Sequence, residues 1–359
     1  MRVMQVLHHG GGSGSVTSTL HLSLGLARTG VEVVFVCPPA SEVEAAARAS
    51  GLVQVEPLKL ESHQGRANGA ALSRLIGATR VELVNSHSSR DRGAFTWLGL
   101  NRRLTVPLVL TRRQMPRTVW FENWLASHVA TRVVAVSRAV GDELVRRGTP
   151  PAKLRVIHNG VVTARIDRPV TSEDLDRWRK KILWEPTRRT IGIVSRLKDQ
   201  AVVLQALSEV TTPVRLVLAG VEPGQQLLKL AMKVPTHHAV SFVPFSSDIL
   251  PLYQLLDLVL LPTRMEGLSQ ALLEAMALGK PVIGSAASGN LDLIADGVDG
   301  LLVPPMDPRA WARAIEDLLQ DRERAARLGA AARRTARETF SLDRTIASTR
   351  SLYQEILSR

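Results

Sequence analysis

The chain has little of several things. Among 359 residues there is one cysteine, Cys37, so no internal disulfide framework exists and a reducing compartment is expected. Only 4% of residues are aromatic, with 2 tyrosines and 6 tryptophans, too few for the stacking platforms of single-strand nucleic-acid binders. No apolar run approaches the ~18 residues of a spanning helix, and Met1 to Gly10 has no apolar signal core; this predicts a protein that is not integral to a membrane. Neither Gly-x-Gly-x-x-Gly nor the Walker pattern occurs, which removes the usual dinucleotide and P-loop readings. Acid is scarce relative to base, giving a net charge of +13. The excess is uneven: residues 1–165 hold 21 Lys and Arg against 10 Asp and Glu, and residues 166–359 hold 25 against 23. A basic half calls for nucleic acid, a membrane surface or an anionic substrate.

What is present is an alternation of apolar strands and helices. Arg2 to Leu7 reads as a strand, followed by a glycine-rich turn at Gly10, Gly11, Gly12, Ser13 and Gly14, then a helix over about Val16 to Arg28. A strand, a glycine loop and a helix can cradle phosphate, although a tight turn would explain the same residues. Val81 to Asn85 leads into Ser86-His87-Ser88, Val106 to Leu110 into Thr111-Arg112-Arg113, and Val133 to Val136 into Ser137-Arg138. Polar clusters at the carboxyl ends of several buried strands gather on one edge, where open α/β sheets bind ligands. Alone, His87 would be a hydrogen-bonded structural residue and the two arginines solvated. Their shared position at strand ends favours a ligand cleft. Charged residues 164–188 read as a linker. A second set of strands starts at Thr190.

The densest pattern lies between Leu256 and Pro305. The apolar run Leu258 to Leu261 precedes the loop Pro262 to Gly267; good helix formers from Leu268 to Leu278 follow, and Gly279-Lys280-Pro281 stops the helix before Val282-Ile283-Gly284. This is strand, helix, strand, with the first loop at the carboxyl edge of a parallel sheet. Glu274 falls in a helix that is apolar nearly all round, where a carboxylate needs a partner. That partner could be ligand hydroxyls or a core arginine. Glu266 lies beside Gly267 at the helix start, where backbone N–H groups favour an anion.

Glu266-Gly267-Leu268-Ser269 through Glu274-Ala275-Met276-Ala277 to Gly279-Lys280-Pro281, with seven residues between the glutamates, resembles the signature of family 4 glycosyltransferases. Ser288-Gly289-Asn290, Ile294 to Gly297, Gly300 to Pro305 and Lys153 to Val161 match as well. The resemblance implies an α/β chain of GT-B fold, with two Rossmann-like, doubly wound parallel-sheet domains facing a central cleft. The expected limits are 1–165 for an acceptor-side domain and 166–341 for a nucleotide-sugar domain, with a helix at about 342–359 packing back on the first. It implies transfer of a sugar from a nucleoside-diphosphate sugar to an acceptor hydroxyl, with retention and without a metal or other cofactor. By the same resemblance Arg196 and Lys198 neutralise the diphosphate with Gly11, Gly12, Gly267, Leu268 and Ser269, Glu274 holds the ribose and Glu266 contacts the transferred sugar. Substituting Glu266 is then expected to leave binding of the free nucleoside diphosphate nearly unchanged.

Departures from the family pattern are visible. Only Leu197 separates Arg196 from Lys198, where many members have a longer insert, and Ser195 and Asp199 stand where glycine is usual. Many members carry a histidine over the donor sugar, after the strand that here ends at Leu110; this chain has Thr111-Arg112-Arg113, so either Arg112 or His87 takes that place, and the resemblance puts His87 beside Glu266, Arg196 and Lys198 as a catalytic candidate. Ser13, His87, Arg112 and Arg113 are the acceptor-side candidates. A loose likeness to cell-envelope enzymes implies a glycan or glycolipid acceptor and a cytoplasmic protein, peripheral on the inner face of the membrane, with Arg102, Arg103, Arg112, Arg113 and Arg117 meeting anionic lipid. A nucleotide-sugar epimerase of the same architecture and a basic nucleic-acid-binding protein are the alternatives.

Overall fold

A computed structural model describes every residue except Gly12, Ser13, Arg117, Thr118, Ser247 and Arg359. The expectations placed on Gly12, Ser13 and Arg117 therefore lie outside the described residues. The chain forms two compact units, Met1–Gly160 with Leu342–Arg359, and Val161–Ser341. The division falls at Gly160 rather than at residue 165.

The first unit is built on seven parallel strands: β1 (Arg2–Val6), β2 (Glu32–Cys37), β3 (Gln54–Pro57), β4 (Leu83–Ser86), β5 (Leu108–Arg112), β6 (Arg132–Ala135) and β7 (Leu154–Val156), in the order β3-β2-β1-β4-β5-β6-β7. The strands β4, β5 and β6 are buried at every residue, as their unbroken apolar runs require when helices cover both faces. Strand order reverses between β1 and β4, so the loops after those two strands flank a crevice at the carboxyl edge. The Leu342–Leu357 helix completes this unit's core, inserting Ile346, Leu352, Tyr353 and Ile356 among Val3, Leu26 and Leu83. Gly25 permits the contact, because a Cβ there would meet Ile346 Cδ1 at 2.2 Å.

The second unit has six parallel strands: β8 (Arg189–Val194), β9 (Val214–Ala219), β10 (Ala239–Val243), β11 (Leu258–Leu261), β12 (Val282–Ser285) and β13 (Leu301–Val303), in the order β10-β9-β8-β11-β12-β13. Its reversal lies between β8 and β11. Leu216, Leu258, Leu260, Ile283, Trp311 and Ile315 are central to its core.

Residues 164–188 are not a linker. Thr171 and Asp174 form a capping box for a helix over Ser172–Ile182, which buries Trp178 and Ile182, four residues apart on one face. The charges that made this segment read as solvated occupy the other face. No helix among the described residues is long and apolar enough to cross a membrane.

Candidate functional site

In the second unit the expected residues gather on the two loops at the strand-order reversal. The loop after β8 carries Ser195, Arg196, Leu197 and Lys198, and its shortness is enforced by one side chain. Gln200 is fully buried; its Nε2 donates to the Arg196 carbonyl at 2.8 Å and to Ser195 Oγ at 3.2 Å, and its Oε1 accepts from the Lys198 N–H at 2.5 Å. Arg196 is exposed and Leu197 is 63% exposed, while Lys198 turns inward. Lys198 Nζ donates to Glu266 Oε2, an ion pair whose side chains are 24% and 20% exposed. The two loops are tied again by Asp199, which accepts from the Arg264 N–H at 2.9 Å and pairs with its guanidinium at 3.0 Å.

The loop after β11 runs into the Gln270–Ala277 helix, whose first turn is capped by Ser269 Oγ accepting from the Leu272 N–H at 3.2 Å. Gly267 and Leu268 precede that helix. Gly289 packs so tightly behind this loop that a Cβ would stand 1.7 Å from the Gly267 carbonyl oxygen, and its N–H donates to the Glu266 carbonyl at 3.2 Å. The Ser288-Gly289-Asn290 motif thus sets the backbone path of Glu266 and Gly267.

Of the two partners open to Glu274, the structure supplies an arginine: Arg165 Nη1 donates to Glu274 Oε1 at 2.9 Å. Burial still raises the Glu274 carboxyl above its usual range, and Arg165 only partly offsets this. The glutamate is 14% exposed. Arg165 escaped the sequence reading because it lies 109 residues away in a segment read as irregular.

In the first unit, Gly10 and Gly11 follow β1 and lie against the start of the Glu42–Ser50 helix: a Cβ on Gly10 would meet Ser41 Cβ at 2.6 Å, and one on Gly11 would meet Glu42 Oε2 at 2.9 Å. Across the reversal, His87 follows β4 but offers no open nitrogen. Its Nε2–H donates to Gln5 Oε1 at 2.6 Å, and Nδ1 accepts from Arg113 Nε at 3.3 Å. Burial, then the Arg113 charge, pushes its pKa well below the ordinary histidine value, so the ring is neutral. The expected catalytic role for His87 is not what this geometry offers; the ring orients Arg113. Arg113 Nη1 also donates to Ser18 Oγ at 3.1 Å and to Asn159 Oδ1. Arg112 turns elsewhere, donating to Asn123 Oδ1 at 3.0 Å.

Both arginines are 7% exposed, with burial lowering Arg112 to about 9 and Arg113 to about 10. Neither can serve as a surface contact for lipid, contrary to expectation. The network continues inward: the Tyr353 hydroxyl accepts from Gln5 Nε2 at 3.1 Å and Asn85 Nδ2 at 2.7 Å, and Thr111 donates to Asn85 Oδ1 at 2.8 Å. Asp91, fully buried, accepts from Ser86 Oγ and from the N–H groups of His87 and Ser88, fixing the loop that carries His87.

Comparison with known proteins follows the same division. The family described as Glycosyltransferase Family 4 matches residues 12–165, and that described as Glycosyl transferases group 1 matches residues 174–335. A D-inositol 3-phosphate glycosyltransferase of Salinispora arenicola is 30% identical over 334 residues, taking in 80% of this chain and 71% of that protein. One of Xylanimonas cellulosilytica is 28% identical over 396 residues, 98% of this chain and 93% of that protein. Among solved structures, Anabaena HepE in complex with UDP superposes with a TM-score of 0.84 at 18% identity, over 99% of this chain and 100% of that one. Sucrose-phosphate synthase from Thermosynechococcus elongatus gives 0.82 at 18% identity, over 99% of both. The fold is therefore GT-B, and relatives of this identity over most of both chains lead to one conclusion: the chain belongs to the family 4 glycosyltransferases.

Proposed function

We propose that this glycosyltransferase moves a sugar from a nucleoside-diphosphate sugar to an acceptor hydroxyl, with retention at the anomeric carbon. The Lys198–Glu266 pair at the strand-order reversal carries the reading. A cation and an anion sit on facing loops, the cation suited to a diphosphate and the anion to sugar hydroxyls. Arg196, exposed and on the same short loop, adds a second positive charge. Backbone N–H groups near Gly267 and Leu268, with the Ser269-capped helix behind them, add a preorganised dipole. The bond from the anomeric carbon to the diphosphate oxygen breaks as charge grows on that oxygen, and these groups stabilise it. Two protein cations at this position take the place a metal would otherwise have. Glu274, held by Arg165, accepts from the ribose hydroxyls.

The solved structures of Anabaena HepE with UDP, with UDP-glucose, and with UDP and glucose support a nucleotide-sugar donor and a sugar-bearing site in the same fold. On the acceptor side the reading uses Ser13 with Arg113, which His87 orients, while Gly11 and Gly12 stand with the diphosphate. The acceptor is a cell-envelope glycan or glycolipid, and the protein works from the cytoplasmic side, peripheral to the membrane. The basic excess of residues 1–165 supports this.

A thermal-shift series with UDP, GDP and ADP tests the donor assignment. One of them at a hundred times its dissociation constant raises stability by about 2.7 kcal/mol. A midpoint unmoved by all three refutes it.

A further inference from the structure

His8, just beyond the end of β1, forms a buried pair with Asp91. His8 Nδ1 lies 3.1 Å from Asp91 Oδ1, and the two side chains are 3% and 0% exposed. Asp91 stands in the first turn of the Ser89–Leu100 helix, which follows β4. The pair therefore bridges the two loops that flank the strand-order reversal of the first unit. That edge is where an open parallel sheet takes its ligands.

Holding the loops together does not call for an imidazole. Asp91 Oδ2 already accepts from Ser86 Oγ at 2.8 Å and from the N–H groups of His87 and Ser88, each at 2.9 Å. The His87 N–H reaches the Val6 carbonyl at 3.1 Å, and the His8 N–H reaches Ser88 Oγ at 3.4 Å. What the imidazole adds is direction. A carboxylate only accepts hydrogen bonds, so Nδ1 carries the hydrogen that Asp91 receives. In the neutral form of the ring Nε2 then carries a lone pair, on the edge away from Asp91. The His9 ring packs on that of His8, with centroids 3.8 Å apart, and steadies its plane.

Among the described residues Nε2 has no hydrogen-bond partner, although His8 is only 7% exposed. A polar atom this deep normally has one. The group that completes it must donate a hydrogen. A sugar or polyol hydroxyl does so, whereas an ionised phosphate or carboxylate would set its own lone pairs against this one. The charged donor contacts proposed above all belong to the second unit, so a hydroxyl that meets His8 in the first unit falls to the acceptor.

We infer that His8 Nε2 accepts a hydrogen bond from an acceptor hydroxyl, with Asp91 as the residue that positions the ring. This rests on the glycosyl transfer proposed above and adds to it one contact with the acceptor.

Two substitutions separate this role from a purely structural one. His8→Asn puts an amide N–H near the place of Nδ1, keeping the bond to Asp91, and has nothing at Nε2. His8→Gln puts an amide oxygen near the place of Nε2 and gives up the bond to Asp91. The probes are UDP-glucose, UDP-N-acetylglucosamine, GDP-mannose and ADP-glucose as donors and glycerol as acceptor, with glyceryl glycoside and free sugar separated by chromatography. His8→Asn lowers glyceryl glycoside formation about tenfold, with the thermal midpoint and the affinity for nucleoside diphosphate unchanged. His8→Gln lowers the midpoint and keeps the larger share of transfer. Free sugar, formed with water as acceptor, follows the same order. If the ring only ties the loops, the order reverses, with His8→Asn transferring like wild type and His8→Gln failing. That result, or full transfer in both variants, overturns the assignment and leaves glycosyl transfer standing. Loss of transfer in both with both midpoints lowered overturns it too, since the ring then serves the fold. A wild type that consumes none of these donors overturns the donor proposal and this assignment with it.

Discussion

The Lys198–Glu266 pair alters what a glutamate substitution should do. Glu266 pairs with Lys198, the cation proposed for the diphosphate, so on that proposal donor binding exchanges one anion for another. Two unit charges about 4 Å apart at an effective dielectric near 20 attract by about 4 kcal/mol. Hydration of both groups offsets most of that, and a partly exposed pair of this kind nets about 1 kcal/mol. Glu266→Gln removes the competing charge and keeps the shape. Free nucleoside diphosphate should then bind about fivefold more tightly, by that same 1 kcal/mol. Turnover of the full donor should fall by at least about tenfold, because the sugar contact strengthens only as the bond breaks. Calorimetry with the nucleotide that gives the thermal shift measures the first effect, and initial rates the second. In a Lys198→Ala background the gain in affinity should vanish, since no cation remains to be freed. Nucleotide affinity that is unchanged or weaker in Glu266→Gln would refute the exchange. Sequence alone led to the opposite expectation of no change, because nothing in it shows the two side chains touching.

Gln200→Ala should raise donor KM more than it lowers kcat, since Lys198 loses its fixed loop while the sugar contacts persist; Gln200→Glu should not rescue it, because the two Nε2 bonds are lost, and steady-state kinetics reads both. Tyr353→Phe leaves the buried amide donors of Gln5 and Asn85 without an acceptor and should cost about 2 kcal/mol in urea unfolding. Protonation of His87 gives a pH signature. Its folded pKa lies well below 6.5, so below that pH the unfolded chain binds a proton that the native ring refuses. Stability present above pH 6.5 is then lost as pH falls towards the folded pKa, by up to about 1.4 kcal/mol per pH unit. His87→Gln should flatten this part of the denaturation profile measured between pH 7 and 5.

Much of the second unit was legible because its signals are local. Leu258 to Leu261, Gly279 and the spacing of Glu266 and Glu274 report on residues within one strand-helix-strand, and the fold places them as their pattern requires. What the sequence concealed is contact over distance. Arg165 meets Glu274 from 109 residues away. Arg113 becomes a buried residue only because Ser18, His87 and Asn159 converge on it from three other parts of the chain. The Ser172–Ile182 helix had a legible signal, Trp178 and Ile182 at helical spacing, but seven charged residues within it hid the two buried apolar ones. Gln200 looked like any polar residue after a strand, and its buried amide explains how the chain does without the longer insert after Arg196.

The Leu342–Leu357 helix bears on the order in which the chain can mature. Ile346, Leu352, Tyr353 and Ile356 belong to the core that β1 begins, so the first unit encoded is not the first that can be finished. During synthesis Met1–Gly160 must wait, with part of its apolar face open, while Val161–Ser341 emerges and closes on itself. A chain ended before residue 342 would hold a complete second unit and an unfinished first one. Gly25, the groove for Ile346, would be the place where that wait ends.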